Sequence, residues 1–306
     1  MLEPGPQAAD GVLGKGCMVR IAGFNRLRSA LAPLLRPVFE HIPPARWVAK
    51  KLIGGQPAHV TLEEMRFAVH QADFGVTLEL NSTGDYEPAT RKSCLNVLAP
   101  GMVFFDIGAH IGLFSLPAAK VVGDQGVVHA FEPDPSNRSM LENNVMINGV
   151  RNIHVHAEAL SDTVGHAVLS RSHFNSGDHR LGAMSSRNTV DVDTVTVDHW
   201  CERHRLWPDV IKMDVQGAEP KVISGMRTLI ERDHPLHLFI EFTPSLLKRD
   251  GVDPVAFLDG FIARGFNVHL LNDRDGTESR ATTSQVMAQC PRRSYVNLRV
   301  SRGHES

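Results

Sequence analysis

Residues 102–133 read MVFFDIGAHIGLFSLPAAKVVGDQGVVHAFEP, and the reading of this stretch decides the fold. An apolar run from Met102 to Phe105 ends in Asp106. Gly108 and Gly112 follow, then an apolar, alanine-bearing segment to Val122. A second apolar run, Val127 to Phe131, ends in Glu132. The pattern is strand, glycine turn, helix, strand. Neither run alternates with polar residues, as expected of parallel strands covered on both faces. Both acids fall at carboxyl ends of strands, where open α/β sheets bind ligands.

The unit predicts a nucleoside-containing cofactor. Glu132 lies 24 residues after Gly108, the place for a carboxylate gripping two ribose hydroxyls. A nicotinamide loop would carry G-x-G-x-x-G and cradle a pyrophosphate. Here the spacing is Gly108-Ala109-His110-Ile111-Gly112, with Asp106 just ahead. A carboxylate there repels a pyrophosphate and suits the sulfonium and ammonium of S-adenosylmethionine (SAM). SAM is therefore the expected cofactor.

Working outward, acids close two more strands. Asp209 to Met213 ends in Asp214, and Leu236 to Ile240 ends in Glu241. Upstream, residues 57–81 read as a short strand and turn region, and Asp85-Tyr86-Glu87-Pro88 opens a helix to about Leu98. Asp134 and Pro135 cap and begin a helix that Gly149 ends. Residues 152–156 read as the third strand. Residues 164–171 and 190–197 form an extended pair around a polar stretch, 172–188, that holds His173 and His179. Asp198 is the expected cap of a helix to about Arg205. One helix is expected from the Gln216-Gly217 turn to about Arg232, another over 254–264, and strands over 266–271 and 295–300.

The chain has 306 residues, 42% hydrophobic and 22% charged, with a formal charge of −2. That is ordinary globular composition with no broad nucleic-acid footprint. Cys17, Cys94, Cys201 and Cys290 lie far apart and form neither a zinc ribbon nor a disulfide framework. A reducing, cytoplasmic location is expected, with no signal peptide and no membrane span. Residues 1–75 read as a tail and a helical cap, the latter broken by prolines and basic from Arg20 to Lys51. Weak peripheral contact with a membrane surface is open to such a segment. The main domain is expected over residues 76–301.

The combined motifs resemble those of the FkbM-type methyltransferases. They stand here as Tyr86-Glu87-Pro88, Asp106-x-Gly108-Ala109-x-x-Gly112, Phe131-Glu132-Pro133, Ala159-Leu160-Ser161-Asp162 and Lys212-x-Asp214-x-Gln216-Gly217-Ala218-Glu219. Gln216 departs from the pattern, which usually has Glu. The resemblance implies a class I methyltransferase fold: a Rossmann-like, doubly wound α/β sheet of seven strands with the last antiparallel, here with an N-terminal helical extension. It implies transfer of a methyl group from SAM to a hydroxyl of a sugar, glycolipid or polyketide-like metabolite. Cofactor contacts are then expected from Glu87, Asp106, Gly108, Ala109, His110, Gly112, Glu132, Pro133, Glu158 and Ala159.

A hydroxyl acceptor must lose its proton as the new bond forms. Asp214 is the expected base, with Glu219 beside it and Lys212 orienting it from two residues back along the strand. A metal held by Asp214, Glu241 and a histidine is the alternative, and no metal ligand is assigned. Two other functions compete: a nicotinamide oxidoreductase, and a non-catalytic binding module with a SAM fold.

Overall fold

The structure, a computed structural model, describes residues 58–303 apart from 72, 74, 173, 174, 185, 186, 274, 292, 293 and the side chain of Ser82. The expected basic cap and His173 lie outside the described residues.

A hairpin, β1 (His59–Leu62) and β2 (Met65–Ala68), comes first. It is followed by α1 (Val76–Thr83) and α2 (Pro88–Val97), then β3 (Val103–Ile107), α3 (Ser115–Val122), β4 (Val127–Phe131), α4 (Pro135–Ile147) and β5 (Ile153–His156). Next come β6 (Ala159–Leu160), β7 (Gly165–Arg171), β8 (Arg180–Leu181), β9 (Asn188–Val195), α5 (Val197–His204) and β10 (Val210–Met213). The chain ends with α6 (Glu219–Ser224), α7 (Arg227–Glu231), β11 (Leu236–Phe242), α8 (Pro244–Arg249), α9 (Pro254–Ile262), β12 (Asn267–Asn272), β13 (Thr277–Arg280), α10 (Thr283–Gln289) and β14 (Val296–Arg302).

Eight strands form the central sheet in the order β13-β12-β14-β11-β10-β3-β4-β5. β3 pairs parallel with β4 and β10, and β10 parallel with β11, whereas β14 runs antiparallel to both neighbours, β11 and β12. Seven of these strands make the expected class I sheet with its last strand reversed. The eighth, β13, is an exposed hairpin partner of β12. Its sequence, TESR, carries no apolar period and gave no strand signal. A smaller sheet, β6-β9-β7-β8, stands beside the main one and contains the expected pair β7–β9.

The apolar character of β3 follows from burial on both sides. Phe104 packs in one cluster with Val76, Cys94, Leu116 and Leu141 from α1–α4. Phe105 packs in the other with Trp200, Val222, Leu229 and Leu258 from α5, α6, α7 and α9. The expected domain start at residue 76 falls just after the hairpin. Leu62, Met65, Phe67 and Val69 of that hairpin region nevertheless share the first of these clusters, and Asn144 of α4 bonds the backbone of Ala68.

Local expectations met three corrections. Val76-Thr77-Leu78-Glu79-Leu80 alternates as a strand would and fell in the expected strand and turn region 57–81, but residues 76–83 are α1, with Thr77 buried beside Val76, Leu78 and Leu80. Asp198 does not cap α5; Thr196 does, through His199 N at 3.1 Å. Asp198 instead accepts from Thr228 N and Leu229 N at the start of α7. The single helix expected after the Gln216 turn is two, α6 and α7, broken at Gly225. A Cβ there would lie 2.1 Å from Ser161 O, so close backbone approach replaces helical continuity.

Candidate active site

The site lies at the carboxyl ends of β3, β4 and β10, above the glycine turn. The turn is built around its own backbone. Gly108 N and Ala109 N both donate to Phe131 O, at 3.0 and 3.1 Å, and Gly112 N donates to Ala109 O at 2.8 Å. His110 N donates to Glu132 Oε2 at 2.8 Å. These amides are committed, so they cannot cradle a pyrophosphate as a dinucleotide loop does. Gly108 and Gly112 have φ of +79° and +91°. Their role differs from close approach to a ligand. A Cβ on Gly108 would lie 2.1 Å from Asp214 O, and one on Gly112 would lie 2.5 Å from Leu116 and Leu141 side chains. The first glycine lets the ends of β3 and β10 meet, and the second lets α3 and α4 pack.

A cavity opens here, lined among others by Gly108, Ala109, His110, Glu132, Pro133, Glu158, Ala159, Lys212 and Asp214. Those expected site residues are brought together. Asp106, Gly112, Glu87 and Glu219 are not on its wall.

Glu132 is 5% exposed, and its Oε1 accepts from Asp134 N at 2.9 Å. Each carboxylate oxygen thus takes one backbone bond and keeps a lone pair for a ligand hydroxyl. Burial pushes this carboxyl up to about 7. Asp106 stands behind the loop, with Oδ2 accepting from Ser115 Oγ at 2.5 Å. Its Oδ1 is sealed from solvent and has no hydrogen-bond partner among the described residues. Burial raises its pKa, and Lys212 opposes that.

On the opposite wall Lys212 Nζ sits 3.5 Å from Asp214 Oδ2 and over the Phe114 ring at 4.8 Å. Burial disfavours the ammonium, but Asp214, Asp106, Glu87 and Glu241 more than offset this and hold it charged. Asp214 Oδ1 accepts from Gln216 Nε2 at 2.7 Å. Glu87 (φ +44°) and Glu241 complete a cluster with Asp214 in which carboxylate oxygens lie within 4.8 Å of one another. Burial raises both the Glu87 and Glu241 carboxyls well above the usual range, with Asp214 adding to it. The third carboxylate of this group is Glu87, where a histidine had been the alternative.

Glu219 does not face the reaction space. Its Oε1 accepts from Val215 N and Gly217 N, both at 3.2 Å, so it staples the turn that presents Asp214. Its neighbour Gln216 has φ +53°, which the stapled turn imposes.

The chain belongs to the FkbM methyltransferase family. A profile described as "Methyltransferase FkbM domain" matches residues 106–268, more than half of the chain. No curated protein matches it significantly. Among solved structures it is similar to a precorrin-6y C5,15-methyltransferase from Geobacter metallireducens. That pair shares 13% identity over 70% of this chain and 87% of the other, with a TM-score of 0.38. It is similar to a putative rRNA-methylase from Clostridium thermocellum at 10% identity, over 71% and 95% of the two chains, with a TM-score of 0.42. M. jannaschii TYW2, in complex with AdoMet, gives 11% identity, 81% and 86% coverage, and a TM-score of 0.38.

In this methyltransferase several cavity residues carry no motif: Asn137, Ser176, Gly177, His179 and Leu181. His179 has a side chain only 11% exposed, and its Nε2 lies 3.7 Å from Asp134 Oδ2. The length and polarity of the 172–188 stretch were the signal that it serves the site. A second, wider cleft opens at the same sheet edge between α1, α2 and the ends of β12 and β14. Glu79, Asp273, Tyr295 and Asn297 line it, and Asn297 is the register partner of Glu241.

Proposed function

We propose that this methyltransferase uses SAM and methylates a hydroxyl oxygen of a sugar, glycolipid or polyketide-like acceptor. The observation that carries the reading is the pairing, across one cavity, of Glu132 with the Lys212–Asp214 ion pair. Glu132 retains acceptor capacity on both oxygens for ribose hydroxyls. Asp106 lies behind the glycine turn and off the cavity wall, so the carboxylates that line the cavity are Glu132, Glu158 and Asp214. The residues therefore suit the cofactor's nucleoside and its positive charge. When bound, SAM supplies an electrophilic methyl group with a neutral thioether as leaving group.

The protein's own work is alignment and proton removal. The acceptor enters along the wider cleft, whose Asn297 pairs in register with Glu241, a neighbour of Asp214. Asp214 takes the hydroxyl proton. Lys212 and the Gln216 amide hold that carboxylate in place. Glu219 keeps the turn rigid. The committed loop amides favour this reading over a nicotinamide one, and the Lys212–Asp214 pair on the cavity wall favours turnover over a silent binding module.

Calorimetry with SAM, S-adenosylhomocysteine and NAD tests the cofactor. Binding of NAD but not SAM overturns the reading. A screen for labelled methyl transfer to hydroxylated glycans and lipids tests the acceptor, and transfer to nitrogen or carbon alone overturns O-methylation.

A further inference from the structure

Among the described residues of the stretch 172–188, Ser176 meets the glycine turn. Its Oγ lies 2.7 Å from His110 Nε2. Its backbone is clasped from both ends: Ser176 N donates to Asp73 Oδ1 at 2.7 Å, and Asn137 Nδ2 donates to Ser176 O at 3.0 Å. Asp73 is 3% exposed and also takes Thr77 N at the start of α1. Asn137, on α4, is 2% exposed, and its Oδ1 meets His70 Nε2 at 2.9 Å. Three elements remote in sequence thus hold one serine against one histidine. The seat is close-fitting on the other side too, because a Cβ on Gly75 would lie 1.9 Å from Asn175 Oδ1.

His110 stands at φ +52° on the cavity wall, with its own N–H on Glu132. The remaining ring atom, Nδ1, is sealed from solvent and has no partner among the described residues. A neutral imidazole engaged at Nε2 offers one hydrogen bond at Nδ1. Burial keeps this ring neutral.

We propose that Ser176 is a positioning residue: it fixes the His110 ring so that Nδ1 bonds bound SAM, and so ties closure of residues 175–184 over the cavity to cofactor binding. The inference rests on the SAM reading above. Ser176, Gly177, His179 and Leu181 form one wall of the cavity, so a nucleoside-sized ligand enters and leaves when that wall lifts. Binding then adds a bond to His110, and the wall settles through Ser176.

The test is SAM affinity by calorimetry on the full chain, with limited proteolysis within 172–188 as a second readout. Ser176→Ala is expected to weaken SAM binding about five- to tenfold, the share of one hydrogen bond, with the unfolding midpoint unchanged. Ser176→Thr, which keeps the hydroxyl, is expected to restore affinity, an outcome that loss of packing alone would not give. In a His110→Ala background, Ser176→Ala is expected to add no further loss. Gly75→Ala, which displaces Asn175 without touching His110, is expected to weaken SAM binding and to speed cleavage. S-adenosylhomocysteine is expected to protect the stretch in the wild type and not in Ser176→Ala. If the wild type does not bind SAM, the cofactor reading fails. If it binds, and Ser176→Ala binds equally well or its loss adds fully to that of His110→Ala, this inference fails.

Discussion

Two halves of one sheet edge solve opposite problems. At the ends of β3 and β4, polar groups are paired in advance: Glu132 takes two backbone amides, and the turn's amides close on Phe131 O. At the ends of β10 and β11, three carboxylates crowd within 4.8 Å around one ammonium. The first half is fixed by its own backbone. In the second, burial favours the protonated forms of Glu87 and Glu241, and Asp214 is left with the Lys212 ammonium. The contrast teaches that neighbouring strand-end acids of similar appearance differ in what already satisfies them.

The sharpest way to break the comparison is to break the joint between the halves. Gly108→Val pushes a side chain onto Asp214 O, 2.1 Å from where its Cβ would stand. Strain at positive φ plus overpacking should cost about 3 kcal/mol or more. Thermal unfolding checks this, and a fold as stable as wild type would show that the two strand ends need not touch.

Asp214→Asn addresses the charged half alone. It should keep SAM affinity and lower turnover about 10²–10⁴-fold, measured with the acceptor found by the labelled-SAM screen. Undiminished turnover would move the proton to Glu87 or Glu241.

Glu132→Ala addresses the template half alone. Loss of charge-assisted bonds to ribose hydroxyls should weaken SAM binding by about 1.5–3 kcal/mol. Equal affinity in a folded variant would remove Glu132 from the cofactor site.

The same carboxyl yields a pH signature. Burial raises it from 4.5 to about 7, so its protonated form is favoured in the empty protein. Its contribution to folding is complete below about 4.5 and is lost as pH rises through about 7. Bound SAM calls for the carboxylate, so affinity should rise with pH up to about 7 and then level off. Calorimetry at pH 6 in buffers of different ionisation heat should detect proton release, and its absence would contradict this assignment.

The smallest effect is expected from Gln216→Glu, which restores the family's usual residue. It replaces the donor 2.7 Å from Asp214 Oδ1 with a like charge. The acid limb of the pH–rate profile should move up by about one unit or less. A shift downward would mean that Gln216 does not act on Asp214.

Much of the fold was legible because its signals are local. Two largely apolar runs with acids at their ends predicted β3 and β4, and Asp134 capping α4 was visible as Asp-Pro. What was not legible depended on partners distant in sequence. Asp198 reads as a local cap until α7 folds against it. Glu219 reads as a catalytic acid until the turn amides claim it. Asp273, which caps α2 by accepting from Ala89 N and Thr90 N, has no sequence cue at all.

By itself the sequence determined the parallel strands, the glycine turn and the identity of the acids at the sheet edge, because strand burial and backbone conformation act over a few residues. Only the tertiary structure decided which of those acids face the cavity. A carboxylate's role depends on the donors and charges within about 4 Å of it, and at Asp214, Glu87 and Glu241 those neighbours come from three separate parts of the chain.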